Sequence, residues 1–472
     1  MPSRLRIYNL IDGKPIELAA SQDFSVISAR TGNFLYNGQT ADAHTATRAV
    51  ESTVSEFSTF KKTLAWERHR MLLHAAELIE KKGDEIMRSQ ILETSCDEGW
   101  ASFNVRQGAS IIRTTAATMM EALTGDVPPS FFGHTTLVFK EPVGPVLVIP
   151  PWNGAVALCC RVISAPLAAG CTIVMKASEL CPATHQLLVH IFHEAGFSPS
   201  SVNMVMADRS RAAEITEVLI SHPGLRKIEF IGSMEVGKLI ATTAAKYLKP
   251  IILELGDQSP AIILDDADLP RAAKLCAKGS MLYHGQICFS TERIIVQRGV
   301  KEEFEKLLVQ AVQNIHLESS GVTYTHVERA KAAIDAAIEE GAKFLCGDSE
   351  VSGLNTLTPS ILTNVGRDSA IFSTEAFAPT AFITVVDTEE EAIEEANSRQ
   401  GGLSAAVFSR DYQRSIRVAR ELNFGGVQIN NMTVFAEPAG PVTSTRGSGY
   451  GESNGKYGVG QFLISKAVCL VE

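Results

Sequence analysis

The stretch Val146-Leu147-Val148-Ile149-Pro150-Pro151-Trp152-Asn153-Gly154 decides the fold. It opens on an unbroken apolar run, mostly β-branched, with no polar residue to face water. Such a run reads as a strand buried on both faces, as parallel sheets require. Pro150 and Pro151 end it, because proline has no N–H to give a ladder. The residues after Gly154, through Leu167, read as a helix. Moving outward, the alternation recurs: strand Thr172–Lys176, helix Pro182–Ala195, a strand near Val202–Met206, helix Ala212–Ser221, strand Lys227–Ile231, the turn Gly232-Ser233, and a helix to Tyr247. Strands alternating with helices predict a parallel sheet covered on both faces. Such sheets bind ligands beyond the carboxyl ends of their strands, and Asn153 stands in one such loop.

A second α/β half begins at Ile251 and runs to about Ile429. It contains strands at Ala261–Leu264, Arg293–Gln297 and Ala381–Val386, and helices at Lys301–His316, Val327–Glu340 and Glu389–Asn397. In the last helix Glu389, Glu390, Glu391, Glu394 and Glu395 read as a solvated face. Before Val146 the chain is mainly helical. Helices are predicted from Ala41, over Ala65–Lys82, over Asp84–Thr94 and over Cys96–Leu123, with Trp66, Met71, Leu72, Ala75, Ala76 and Ile79 on one face of the second. Ahead of them Leu5, Ile7, Ile16 and Leu18 flank an Asp12–Pro15 turn and predict a sheet edge. Gly125–Gly133 is a Pro/Gly turn which, with strands on either side, predicts a hairpin arm. That arm reads either as a reach toward a neighbouring subunit or as an ordinary surface hairpin. Arg446–Gly460 reads as a long loop and Gln461–Val471 as a final strand.

At 472 residues the chain needs two or three domains. A net charge of −10 argues against a nucleic-acid surface. No apolar stretch reaches spanning length, and Met1-Pro2-Ser3-Arg4-Leu5 carries no signal-like apolar region, so no membrane is implied. The 9 cysteines lack CxxC spacing and the 11 histidines lack HExxH, so neither a disulfide framework nor a metal centre is expected. This is the pattern of a reduced, cytoplasmic protein.

Several constellations carry chemistry. Asn153 has an amide able to stabilise a developing oxyanion, although Asn before Gly is also an ordinary turn residue. Lys176 and Glu179, at a strand end, can hydrogen-bond a ribose diol or form a surface pair. In Phe230-Ile231-Gly232-Ser233-Met234-Glu235-Val236-Gly237 a strand, a tight turn and a helix start present free N–H groups to an anion. The spacing is not GxGxxG, and Ser233 would serve equally as a plain helix cap. Glu254, closing the apolar run Ile251–Leu255, and Cys288, after Gly285, pair a base with a nucleophile.

Taken together and in this order, these pieces resemble the aldehyde dehydrogenase superfamily. The likeness runs from the early helices to Gly451. It includes Glu375-Ala376-Phe377-Ala378-Pro379, close to the family's E-x-F-G-P segment, and Gly447-Ser448-Gly449-Tyr450-Gly451. Within the superfamily the chain is most similar to the salicylaldehyde, vanillin and benzaldehyde dehydrogenases, on Trp100–Val105, Arg161 and Gly285-Gln286-Ile287-Cys288.

The resemblance implies an α/β fold. A Rossmann-type parallel-sheet NAD(P)-binding domain would span 1–122 and 141–250, an α/β catalytic domain 251–454, and an oligomerisation arm 123–140 and 455–472 of a homodimer or homotetramer. It implies Cys288 as the nucleophile toward a small-molecule aldehyde, Asn153 with the Cys288 N–H as oxyanion donors, and Glu254 as the base that activates water on the thioester. For the cofactor it implies Lys176 and Glu179 at the adenosine ribose, and Gly232, Ser233 and Gly237 around the pyrophosphate. Glu375 and Phe377 fall at the nicotinamide, with Pro151, Trp152 and Leu255 among the further contacts. A carboxylate at Glu179 should repel a 2′-phosphate, which favours NAD, with NADP the alternative. Trp100 and Tyr450 would wall an aromatic substrate, and Arg161 would meet its hydroxyl or carboxylate, or else form a structural ion pair.

The chain departs from the family pattern at Asp257, where E-L-G-G is usual, at Ala378, at Val442–Gly447, and at Phe435-Ala436-Glu437-Pro438 for H-D-E-P. The competing readings are an aliphatic or semialdehyde dehydrogenase, a CoA-acylating enzyme, and a non-catalytic homologue. Retention of Cys288, Glu254 and Asn153 weighs against the last, and Glu254 favours water over CoA as acyl acceptor.

Overall fold

The computed structural model describes residues 6–471. Leu5 of the sheet edge and the Met1–Leu5 segment lie outside the described residues. Two large sheets organise the chain. The first has nine strands, in the order Lys14–Ile16, Asn9–Ile11, Val202–Val205, Ile173–Lys176, Val146–Ile149, Lys227–Gly232, Ile251–Leu255, Gly449–Ser453, Val442–Ser444. The five central strands are parallel. The pleat explains their unbroken apolar sequences. Val146 and Val148 join the core on one face with Ile173 and Met175, while Leu147 and Ile149 join the core on the other with Val174. Helices Ala157–Ala169 and Glu98–Ala122 cover the first face, and Ala43–Phe60 the second.

From Val146–Ile149 the chain winds one way through Ile173–Lys176 to Val202–Val205. It then crosses back to Lys227–Gly232 and Ile251–Leu255 on the other side. The order therefore reverses between Ile149 and Phe230, and a crevice opens there beyond the strand ends. The loops Pro150–Gly154 and Gly232-Ser233 flank it.

The second sheet has seven strands, Lys343–Cys346, Ser360–Thr363, Thr380–Val386, Thr291–Gln297, Ser259–Ile263, Ser404–Phe408 and Gly426–Ile429, all parallel except the first. Thr135–Pro142 pairs antiparallel with Leu463–Leu470 as a separate ribbon.

Several sequence expectations need correction. The boundary after residue 250 moves, because Ile251–Leu255 belongs to the first sheet and the second begins at Ser259. Residues 446–460 are no loop: Gly449–Ser453 pairs with Ile251–Leu255, and Gly455–Gly460 is a helix. The hairpin expected around Gly125–Gly133 is reduced to a single antiparallel bridge, in which the N–H groups of Asp126 and Val138 donate to each other's carbonyls at 3.1 and 2.8 Å. The strand Thr135–Pro142 finds its full-length partner at the far end of the chain. Trp66 is 62% exposed and stacks on His69, while Arg68 turns inward to donate to the Ala168 carbonyl. Glu395 is buried between Arg367 and Arg399, not solvated. Among the described residues no helix is long and apolar enough to cross a membrane.

Candidate active site

Cys288 sits in the turn that leads into the strand Thr291–Gln297. The approach to it is strained: Tyr283, His284 and Gly285 all have left-handed backbones, with φ of 50°, 58° and 70°. Buried partners hold this conformation in place. Tyr283 donates its hydroxyl to the Thr94 carbonyl at 3.1 Å, and His284 Nε2 accepts from the Leu357 N–H at 3.0 Å. Gln286 bonds through its amide to Tyr283, Ser320 and Val322. At Gly285 a Cβ would lie 2.0 Å from the Ala378 carbonyl oxygen. Replacing Gly285 by alanine should therefore displace the turn. A shift of ~1 Å at a nucleophile can cost roughly 100-fold in rate, so kcat/KM should fall by about that much while the cofactor still binds. Steady-state kinetics with a cofactor-binding titration check this; near-wild-type turnover would contradict it. Among the described residues, the Cys288 N–H donates to no acceptor, so it is free for a ligand oxygen.

Glu254 reaches the same point from the end of Ile251–Leu255. Its Oε1 lies 3.5 Å from Cys288 Sγ. Its Oε2 pairs with Arg161 from the helix Ala157–Ala169, both side chains being buried. Burial pushes the Cys288 thiol well above its ordinary value, and the charge of Glu254 pushes the same way, while Arg161 pulls it down. In this state the sulfur is a neutral thiol with a carboxylate at hand to take its proton.

Asn153 is buried in the loop after Val146–Ile149. Its Nδ2 donates to the Gln286 carbonyl at 3.0 Å, and its own carbonyl accepts from Trp100 Nε1 at 3.0 Å. One amide hydrogen is thereby used to orient the group, and the second remains for a ligand.

Cys288, Glu254, Asn153 and Arg161 share one cavity. Its walls include Trp100, Phe103, Leu158, Phe289, Val434 and Phe435. Trp100 is both wall and core, since its ring stacks on Tyr283 at 5.1 Å. Two expected substrate contacts change. Tyr450 does not line this cavity; it pairs opposite Leu253 in the first sheet and is half exposed. Arg161 lines the cavity, but its charge is already engaged by Glu254. Sequence reasoning missed Phe103 and Phe289. A signal existed, because Phe103 lies one helical turn from Trp100 and Phe289 adjoins Cys288.

The cofactor candidates gather around the crevice. Lys176 is buried at the end of its strand; burial lowers its affinity for a proton and Glu179 partly restores it. Ser233 caps the helix Met234–Lys246 by accepting from the Val236 N–H, so that helix points its N-terminus at the strand ends. A Cβ at Gly237 would lie 2.4 Å from Leu255, which shows how closely this helix lies on the strand. Pro151 and Trp152 form the opposite rim, with Trp152 edge-on to Phe377 at 5.9 Å. Glu375 closes over Gly256, where a Cβ would fall 2.1 Å from its carboxylate. Burial and the neighbouring Glu292 push the Glu375 carboxyl well up. A buried ammonium, a capped helix N-terminus and a glycine under a carboxylate suit a nicotinamide dinucleotide. Asp257 is buried and accepts from the N–H groups of Leu403, Ser404 and Gln258. This departure thus ties the chain just after Ile251–Leu255 in the first sheet to the start of Ser404–Phe408 in the second.

Comparison with known proteins gives a concordant result. The family described as "Aldehyde dehydrogenase family" matches residues 17–468. A vanillin dehydrogenase of Pseudomonas fluorescens is 35% identical over 471 residues, covering 98% of this chain and 97% of that one. The crystal structure of a salicylaldehyde dehydrogenase from Pseudomonas putida G7 complexed with salicylaldehyde superposes with a TM-score of 0.95 at 33% identity, over 99% of this chain and 98% of that one. A betaine aldehyde dehydrogenase from Staphylococcus aureus in complex with NAD+ gives a TM-score of 0.93 at 28% identity, over 98% and 94% of the two chains.

Proposed function

The chain belongs to the aldehyde dehydrogenase family, and from that premise we propose that it oxidises an aromatic aldehyde to the carboxylic acid, with NAD as acceptor, through a thioester on Cys288. The observation that carries this reading is the 3.5 Å contact between Cys288 Sγ and Glu254 Oε1 on the floor of an aromatic-walled cavity.

Glu254 takes the thiol proton, and Cys288 Sγ attacks the aldehyde carbon to give a thiohemiacetal. The free Asn153 amide hydrogen and the Cys288 N–H receive the oxyanion. The chemistry supplied by a bound nicotinamide is acceptance of the hydride from that carbon, which leaves a thioester. Glu254 gives the thiol proton up to solvent and then removes a proton from water as its oxygen attacks the thioester. The C–S bond breaks, the acid leaves, and the Cys288 sulfur takes that second proton back from Glu254. Trp100, Phe103, Phe289 and Phe435 suit a flat ring. Because Arg161 is held by Glu254, a semialdehyde reading loses the cation it would need. Glu179 next to Lys176 supports NAD over NADP. Nine free thiols support a reducing, cytoplasmic setting. The ribbon of Thr135–Pro142 with Leu463–Leu470, beside the exposed Phe131 and Phe132, supports a homodimer or homotetramer.

NADH formation with benzaldehyde-type and aliphatic aldehydes tests the substrate class. Preference for the aromatic series is expected; activity confined to aliphatic aldehydes would discard the aromatic cavity. The pH dependence follows from the thiol. Its raised value means that the thiolate is gained as pH rises, so the rate of the first-turnover NADH burst should climb through the neutral and mildly alkaline range. Rapid mixing checks this, and a burst rate that falls with pH would contradict it.

A further inference from the structure

Glu229 sits inside a buried strand, next to the base but outside the chemistry assigned above. Its neighbours in register are Val148 and Ile252, and Glu254 lies two residues beyond Ile252. Cross-strand neighbours share a face, so Glu229 and Glu254 both project toward the side covered by the helix that carries Arg161. One guanidinium therefore faces two buried carboxyl groups. Among the described residues it bonds only Glu254. Two atoms are left without a hydrogen-bond partner among the described residues, the donor Arg161 Nε and the acceptor Glu229 Oε2. An orphaned donor and an orphaned acceptor in one buried cluster are complementary, and desolvation makes both costly.

We propose that Glu229 is the alternate acceptor for Arg161, and that passing the guanidinium from Glu254 to Glu229 frees Glu254 to take the proton of the hydrolytic water. The proposal rests on the reading of Glu254 as the water-activating base. Glu229 would be a positioning residue, acting on the thioester only through Arg161 and Glu254. No covalent bond changes in the exchange.

The charges around Glu229 set when it can act. They are Arg161 from the covering helix, Glu254 from the adjacent strand and Lys227 from its own strand, while Val148 and Ile252 on either side are apolar. Burial pushes the Glu229 carboxyl up to about 7, Arg161 and Lys227 pull it down, and Glu254 adds to the rise. Below that point Glu229 is a neutral acid, a weak competitor for Arg161. Above it Glu229 is a carboxylate and competes well, so hydrolysis of the thioester should quicken as pH passes through neutrality.

The test is rapid mixing of wild type, Glu229→Gln and Glu229→Asp with NAD and benzaldehyde from about pH 6 to pH 8.5, a range that brackets this titration. The burst reports hydride transfer and the slow phase reports hydrolysis. We expect all three to give a burst. The wild-type slow phase should rise through neutral pH. In Glu229→Gln it should stay flat and be roughly tenfold lower at about pH 8, the fold-change of one charge-assisted hydrogen bond. Glu229→Asp, which keeps the carboxylate, should recover the rise with a displaced midpoint. A Glu229→Gln slow phase that tracks the wild type, or a flat wild-type slow phase, overturns the proposal. Should Glu229→Gln not fold, as read by its melting curve, the aspartate variant decides: a displaced midpoint supports the proposal, and an unmoved one overturns it. No burst from the wild type would instead refute the reading of Cys288 and Glu254, and with it this proposal.

Discussion

Replacing Cys288 by alanine should abolish NADH formation with every aldehyde, a loss on the order of 10,000-fold or more, while the fold and cofactor binding persist. The size follows from the chemistry: without the sulfur there is no covalent adduct, and hydride would have to leave an uncommitted aldehyde hydrate. The fold should survive because Sγ contributes one hydrogen bond, to Glu254, while the turn is held by Gln286 and by Ser290 bonding back to the Gly285 carbonyl. No other thiol can stand in. None of the remaining cysteines lines the cavity. Burial pushes Cys96 and Cys171 up to about 12, and Cys159, Cys160, Cys181 and Cys276 also shift upward. Aldehyde oxidation surviving in Cys288→Ala would remove this residue from the mechanism.

Glu254→Gln should separate the two halves of the reaction. Gln preserves shape but accepts no proton, so hydrolysis should slow by roughly 100- to 10,000-fold, the usual worth of a general base. The first turnover should still complete, more slowly at neutral pH because Cys288 has lost its nearest proton acceptor. The expected trace is one NADH per active site followed by a stall, with the burst quickening as pH rises. Removing one partner of a buried ion pair commonly costs about 3–5 kcal/mol. Here Glu229 faces the same guanidinium, so the melting temperature should fall less than such a loss implies. Multiple turnovers at the wild-type rate would show that another group activates the water.

What could be read from the sequence, and what could not, has a physical pattern. The central strands were legible because burial on both faces forces unbroken apolar runs, as in Val146–Ile149 and Ile173–Lys176. Asn153 and Cys288 stood out as candidates because they follow a strand end and a glycine turn, where a chain in this architecture presents side chains to ligand, and Glu254 because it is a carboxylate near the end of the apolar run Ile251–Leu255. The return of Gly449–Ser453 to the first sheet was hidden, since this strand is short, polar and rich in glycine, unlike the central strands. That pairing sets Tyr450, which the family resemblance had assigned to the substrate, opposite Leu253 and outside the lining of the cavity. The partner of Thr135–Pro142 was hidden because Leu463–Leu470 lies at the opposite end of the chain, and periodicity carries no information about such pairing. Arg161 was found, but its engagement by Glu254 requires the helix to be packed on the sheet before it can be seen. Glu229 carried a signal that went unused: a carboxylate within Lys227-Ile228-Glu229-Phe230-Ile231 interrupts a buried apolar run, and such a residue needs a charged neighbour.

The most direct measurement on the account as a whole is intact-mass and peptide-mapping mass spectrometry of Glu254→Gln after mixing with NAD and benzaldehyde. The account predicts one benzoyl group per chain, on the peptide carrying Cys288, appearing in step with the NADH burst. NADH formed with no acyl adduct, or an adduct on any other residue, would contradict a thioester at Cys288.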